Sequence, residues 1–336
     1  MQQKKSLLSI SLIVCMCGLV IGCGQQSSET SEHASTAQVS HKQNATQRSE
    51  TYENEVKKLT ANITPIHAPQ NPDAIAKLPK SYKFVNDGYF TVATSTATPP
   101  LGVLAPDNKT FVGTEIDIAR LIADSLGLKL KIVKTSFEDW PLGVSGGRYD
   151  AAMTNLTVTK ERKQKFDFAT YRRDVLAFYV AENSKIKSIK GPDDIAGLKI
   201  LVNSGTNQEK ILLDWIEDNK KKGLTPAQVQ YIDDAAAAQL ALQSGRLDAI
   251  FGPNVAYAWQ ATNGRKIRPV GTALGGGDKP ADIGVAVKKG NGLAEPINIA
   301  LNGVIQSGQY HQVLQRWGDE AEAIEKSEIN PAGLGD

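Results

Sequence analysis

The sequence predicts an α/β protein of two similar lobes, and three observations carry that reading. Strand-like and helix-like hydrophobic patterns alternate through most of the chain. The alternation falls into two successive βαβαβ series. The phrase "GRYDAAMTN", Gly147 to Asn155, which closes the first series, returns as "GRLDAIFGPN", Gly245 to Asn254, at the close of the second.

In the first series "YFTVATST" reads as a strand. A helix follows over about Glu115 to Leu126, with Ile116, Ala119, Ile122 and Leu126 near one face and Gly127 as its stop. "LKLKIV" alternates as a strand, Glu138 to Ser145 makes a short helix, and "YDAAMTN" is the third strand. In the second series the strands are "LKILVNSGT", "VQYI" and "LDAIF", separated by helices over Asn207 to Lys222 and Asp234 to Ser244. Strands separated by helical patterns imply mainly parallel sheets with right-handed crossovers, and ligands in such sheets collect at the carboxyl ends of the strands. "GGGDKPADIGVAVKKG" then reads as a glycine-rich turn and a strand. Helical patterns at Leu293 to Ser307 and Tyr310 to Trp317 return the chain to the first lobe.

The first residues are not fold. Lys4 and Lys5 precede an apolar run from Leu7 to Ile21. It is too short to cross a hydrocarbon core of about 30 Å as a helix, so it reads as a secretory signal. The run closes on "VIGC", which resembles the lipobox of bacterial lipoproteins, where the cysteine is acylated and becomes the mature N-terminus. That assigns Cys23 as a lipidated residue and residues 1–22 as a signal peptide. Residues 23–72, rich in Ser, Thr, Gln and Asn, form a disordered tether stiffened near its end by Pro65, Pro69 and Pro72. Loss of residues 1–22 removes two of the 38 basic residues and none of the 36 acidic ones, leaving no net charge. A nucleic-acid binder would show a basic excess. With Cys15 and Cys17 in the leader and Cys23 carrying the lipid, no thiol remains for a disulfide, zinc site or nucleophile.

"GVSGG", Gly143 to Gly147, fits the pattern of a nucleophile elbow, but here a helix precedes the serine and a strand follows, the reverse of what that elbow requires. His33, His41 and His67 lie in the tether and approach, and His311 stands alone, so neither a catalytic triad nor a histidine metal site has material. "GGGD" lacks the Lys-Ser/Thr of a phosphate loop and reads as a flexible turn.

"TNLTVTKER" carries more information. Thr154, Asn155 and Thr157 set hydroxyl and amide groups at the end of a strand, and Thr159 is placed to cap the turn beginning "KER". From there Arg162 can reach back toward the strand end, where hydroxyls, helix N–H groups and a guanidinium suit a carboxylate. On spacing alone Arg162 is equally a solvated helix charge like Lys160 or Lys163. In the second series, Thr206 and Glu209 have the spacing of a capping box, which serves the helix alone or also presents N–H groups to a ligand.

From about Tyr82 to Asp319 the chain resembles the family 3 bacterial extracellular solute-binding proteins, the polar amino-acid receptors of ABC importers. The resemblance rests on "VGTEIDIARLIADSLG", "SGGRYDAAMTNLTVTKERKQKFDFATY", "LKILVNSGTNQE", "LQSGRLDA" and "NGVIQSGQYHQVLQRWG". It implies a type II periplasmic-binding-protein fold with two hinge strands, at about Ala177 to Glu182 and Asp282 to Val287, and ligand in the interlobe cleft. Lobe 1 would span residues 73–180 and 282–336, and lobe 2 residues 181–281. It also implies that Arg162 clamps a ligand carboxylate, with Thr154, Asn155 and Thr157 beside it, Phe137 and Trp140 shaping the side-chain pocket, and Asn203, Thr206 and Asn207 closing from lobe 2. Thr98 stands where relatives often have a covering aromatic. Pro253 stands where many have the aspartate that pairs with an α-ammonium; that role would pass to Asn254, a backbone carbonyl, Asp278 or Asp282, or the ligand has no amine. The implied function is a lipid-anchored, exported, monomeric receptor that delivers a small polar carboxylate to a permease and its ATPase. It uses no cofactor or metal and binds no nucleic acid. An enzyme on the same fold, of the cyclic-acid dehydratase kind, and a ligand sensor without transport are the alternatives.

Overall fold

The computed structural model describes Asn54, residues 57–60 and residues 63–336; the leader and Cys23 lie outside them. The elements in chain order are helix α1 (Pro72–Ala76), strands β1 (Tyr89–Thr94), β2 (Ala97–Thr98), β3 (Gly102–Leu104) and β4 (Phe111–Val112), α2 (Thr114–Ser125), β5 (Lys129–Lys134), α3 (Trp140–Ser145), β6 (Ala151–Ala152), β7 (Phe166–Arg173) and β8 (Val175–Ala181). After these come β9 (Lys199–Leu201), α4 (Asn207–Lys221), β10 (Gln228–Gln230), α5 (Ala235–Gln243), β11 (Ala249–Pro253), α6 (Asn254–Thr262), β12 (Ile267–Leu274), β13 (Asp282–Lys288), α7 (Ala294–Gln306) and α8 (Gln309–Trp317).

Two five-stranded sheets form, in the orders β5-β1-β6-β13-β7 and β10-β9-β11-β8-β12, each the centre of one lobe. The three strands from each βαβαβ series are parallel, as the pattern requires. One further strand in each sheet, β13 or β8, runs antiparallel to these three, and the edge strand, β7 or β12, pairs antiparallel with it and so runs the same way as the three. β7–β8 and β12–β13 pass from lobe to lobe without a helical crossover. β6 and β11, the strands opened by the repeated phrase, hold the middle position of their sheets.

The repeat has a mechanical explanation. The Asp150 amide donates to Thr91 O at 2.9 Å while its carboxylate accepts from Thr91 N at 2.7 Å. Asp248 does the same to Lys199, at 2.9 and 2.8 Å. Each aspartate therefore clamps its central strand to the start of the parallel neighbour. Gly147 (φ 72°) and Gly245 (φ 74°) make the left-handed turn from helix to strand, a conformation costly for residues with a Cβ.

Both faces of each sheet are covered. In lobe 1, Ile118, Leu121 and Ile122 of α2 meet Ile297 and Leu301 of α7 and Val313 and Leu314 of α8 on one face, with Trp140, Phe166 and Phe168 on the other. The C-terminal helices thus belong to lobe 1. In lobe 2, Phe178 and Phe251 stack at 4.1 Å, and each such buried ring contributes about 1.5–3 kcal/mol.

Three expectations need correction. Ala177 to Ala181 are already paired in the second sheet and Asp282 to Val287 in the first, so the chain crosses between lobes at Asp174 and over residues 275–281. The apolar run after Asp174 is what lets pairing begin so early. Next, residues 63–72 are not tether: Ile63, Ile66 and Ala68 pack on the lobe 1 core, Asn71 caps α1, and its amide donates to Ser125 O at 2.8 Å. A few apolar side chains on a proline-stiffened segment suffice, since little entropy remains to be lost. Finally, "GGGD" is not a free turn. Gly275 is buried against Asp174, where a Cβ would come within 2.3 Å of the carboxylate.

Candidate ligand-binding cleft between the lobes

Beyond β6 the chain runs beside the start of β13: Val158 N donates to Asp282 O at 2.8 Å and Gly284 N to Leu156 O at 2.9 Å. The Thr159 hydroxyl then accepts from Arg162 N at 3.1 Å, starting a 3₁₀ turn over Arg162–Gln164. This folds the Arg162 side chain back over the strand end, as the spacing suggests. Its Nη1 donates to Thr157 O at 2.9 Å and its Nη2 to Gly205 O of lobe 2 at 3.2 Å. The guanidinium lies 5.6 Å from the Phe137 ring centroid.

Arg162 thus joins the lobes through neutral carbonyls, and among the described residues it forms no ion pair. Burial pulls its pKa down to about 10, with Asp174 and Glu161 opposing, so the group stays charged at neutral pH. Two cavities flank it. One of 440 Å³ is lined by Phe137, Trp140 and Phe166 of lobe 1 and by Ser204 and Gly205 of lobe 2. The other, of 220 Å³, lies between Thr159 and Lys160 on one side and Thr206, Asn207 and Lys210 on the other. Thr206 caps α4 by accepting from Glu209 N at 3.2 Å. The Glu209 carboxylate reaches Gly205 N, at 2.6 Å, one residue before the capping-box position.

At the first lobe crossing, Asp174 Oδ2 accepts from the Thr157 hydroxyl at 2.8 Å and from Asn207 Nδ2 at 2.7 Å; the same amide reaches Gly275 O at 2.9 Å. One buried carboxylate therefore holds a side chain from each lobe, and burial pushes its pKa up. Behind it lies an ionic cluster. Arg172, 1% exposed, pairs with Glu322 and with Glu115 at 3.4 Å, and donates to Asn155 Oδ1 at 2.6 Å. Tyr171 OH donates to Glu115 at 2.8 Å, and Glu115 accepts from Asn155 N at 3.2 Å. Burial pushes Glu115 up, and pushes Glu322 up to about 7 with Arg172 opposing.

The structure gathers Arg162, Phe137, Trp140, Thr157, Thr206 and Asn207 around the interlobe space. Other expected residues are occupied elsewhere. Thr98 lies in the small sheet β2-β3-β4 beside the cis Pro99-Pro100 bond. Asn203 is exposed, with its carbonyl holding the Thr206 hydroxyl. Asn254 accepts from Tyr179 OH, Asn155 faces Arg172, and Thr154 is buried at the end of β6 without lining either cavity. Asp282 pairs with Arg173 at 3.1 Å and Asp278 is exposed. Asp174 and Arg172 escape sequence reasoning; their only signal is the charged "RRD" between two apolar strand runs. Among the described residues no group of His, Cys, Asp and Glu is arranged to hold a metal.

The family model for bacterial extracellular solute-binding proteins, family 3, matches residues 90–320. The chain belongs to that family. This solute-binding protein is 30% identical over 251 residues to the ABC transporter glutamine-binding protein GlnH of Bacillus subtilis, covering 73% of this chain and 84% of that one. It is 26% identical over 232 residues to the L-cystine-binding protein TcyJ of Escherichia coli K12, covering 68% and 82%. Among solved structures, an ancestral arginine-binding protein bound to arginine superposes with a TM-score of 0.58 at 30% identity, over 68% of this chain and 98% of that one. The two-lobed receptor fold and the role of a solute-binding component of an ABC importer follow from that membership.

Proposed function

We propose that this solute-binding protein captures an amino acid or a close carboxylate analogue between its lobes, with Arg162 as the carboxylate clamp. The observation that carries this reading is the partly buried guanidinium that spans both lobes, hydrogen-bonded among the described residues to neutral carbonyls and without an ion pair. A ligand carboxylate supplies the missing counter-charge, and a bidentate pair adds direction to the attraction. Phe137 and Trp140 form the apolar wall for the ligand's side chain, while Thr157, Thr206 and Asn207 complete the polar shell. The relatives' names, for glutamine, cystine and arginine, support the amino-acid class. They are binding proteins, which favours capture without chemical change.

In this reading Cys23 carries the lipid, and the chain works at a membrane surface as a monomer beside its permease and ATPase. Labelling with radioactive palmitate should mark the native chain and leave a Cys23→Ser variant unlabelled; equal labelling would remove the anchor. The ligand class is tested by a thermal-shift screen of amino acids, deaminated analogues and sulfonates. A ligand at a hundred times its Kd adds about 2.7 kcal/mol, a shift of roughly 5–10 °C for a chain of this size. A flat response across the amino acids and their deaminated analogues would sink the proposal.

A further inference from the structure

Residues past the family match, which ends at 320, follow a path that bears on the cleft. Glu328 N donates to Thr170 Oγ1 at 2.9 Å, Thr170 N to Glu328 O at 3.0 Å, and Phe168 N to Asn330 Oδ1 at 2.8 Å, so this stretch lines the outer edge of β7. It then leaves the edge toward the loop that carries Arg162. Lys163 Nζ holds Pro331 O at 2.9 Å and the Asp336 carboxylate at 2.6 Å. Lys160 N donates to Leu334 O at 2.9 Å, and Gly333 approaches so closely that a Cβ there would lie 1.9 Å from Val158 O. Leu334 itself packs on the lobe 2 core, with its Cδ1 beside Gly277, and Lys279 Nζ donates to Asp336 O. Leu334 and Gly335 complete the wall of the 220 Å³ cavity that Arg162 shares with Thr206 and Asn207.

We infer that residues 328–336 are a strap built into the ligand cleft: lobe 1 holds it along β7 and at Lys163, and Leu334 seats it on lobe 2. The strap positions the Arg162 loop against Gly205 and forms a third wall that limits ligand size on the Lys160 side. This rests on the cleft being the ligand site, as proposed above. The seat is apolar, so a charge at Leu334 removes it while a methionine preserves it. Lys163 sits outside the cleft shell, and its loss frees the strap without touching the wall.

The experiment uses the exported chain with Cys23→Ser, which leaves no thiol after the leader, and exposed labels at Ser145→Cys in lobe 1 and Asn183→Cys in lobe 2. Pulsed electron paramagnetic resonance reads the interlobe distance without ligand. The parent should be mostly closed, Leu334→Asp mostly open, and Leu334→Met like the parent; Lys163→Ala should open the lobes even if Leu334→Asp does not fold. Calorimetry with L-glutamine and L-arginine should show at least about tenfold weaker binding in the opened variants. A parent that is already open, or opened-variant distances matching the parent, overturns the strap. If neither amino acid binds the parent while the distances behave as expected, the strap's hold on the closed lobes stands, and its role as a ligand wall falls with glutamine and arginine as ligands.

Discussion

The fully buried Arg172 and the partly buried Arg162 meet their electrostatic needs in opposite ways. Arg172 lies among Glu115, Asp319 and Glu322; burial works against its charge, and those carboxylates outweigh it. Among the described residues Arg162 hydrogen-bonds neutral carbonyls and forms no ion pair, which is what the proposed ligand carboxylate would supply. Replacing Arg172 with Met should cost about 3–5 kcal/mol in urea unfolding, because it strands carboxylates in the core. A loss under about 1 kcal/mol would show that the cluster is largely neutral. Arg162 was legible because "TNLTVTKER" places hydroxyls, a cap and a guanidinium within one turn. Arg172 and Asp174 were not, since their partners Glu322 and Asn207 come from far along the chain.

At the scale of elements, the repeated phrase supplies one device twice, with unequal burdens. Asp150 serves Thr91 N, Val85 N and Tyr82 OH, whereas among the described residues the Asp248 carboxylate serves only Lys199 N. Asp150→Ala should therefore cost about 2–4 kcal/mol and Asp248→Ala about 1 kcal/mol, reflecting the number of donors left unpaired. Equal losses in thermal unfolding would contradict this account of the repeat. Helices and parallel strands were legible because their periods are local. The lobe crossings fell elsewhere because extended apolar strands on either side of "RRD" look alike, and only pairing with distant strands shows which sheet each joins. The small β2-β3-β4 sheet was missed for a related reason: its strands have two or three residues each, too short to carry a period.

Across the whole molecule, the ionic cluster of lobe 1 ties stability to pH, while closure rests on separate contacts between the lobes. The Glu322 carboxyl is held up to about 7 from an ordinary 4.5, so the folded chain binds this proton more tightly than the unfolded one. Its stabilising contribution is complete below about pH 4.5 and is lost as pH rises through about 7. Glu322→Gln should flatten the decline of stability across that window, and an unchanged slope would assign the decline to other groups. Closure rests on few cross-lobe contacts, Arg162 to Gly205 and Asp174 to Asn207 among them. A ligand carboxylate that adds even a few kcal/mol on the closed side can dominate the equilibrium. In the proposed function Arg162 provides this energy. Calorimetric titration of the parent and Arg162→Ala chains with the amino acid found by screening tests it most directly. The account predicts a loss of about 2–5 kcal/mol, tens- to thousands-fold in Kd, with the fold retained. Equal affinity in the two chains would remove Arg162 from the site and contradict the account.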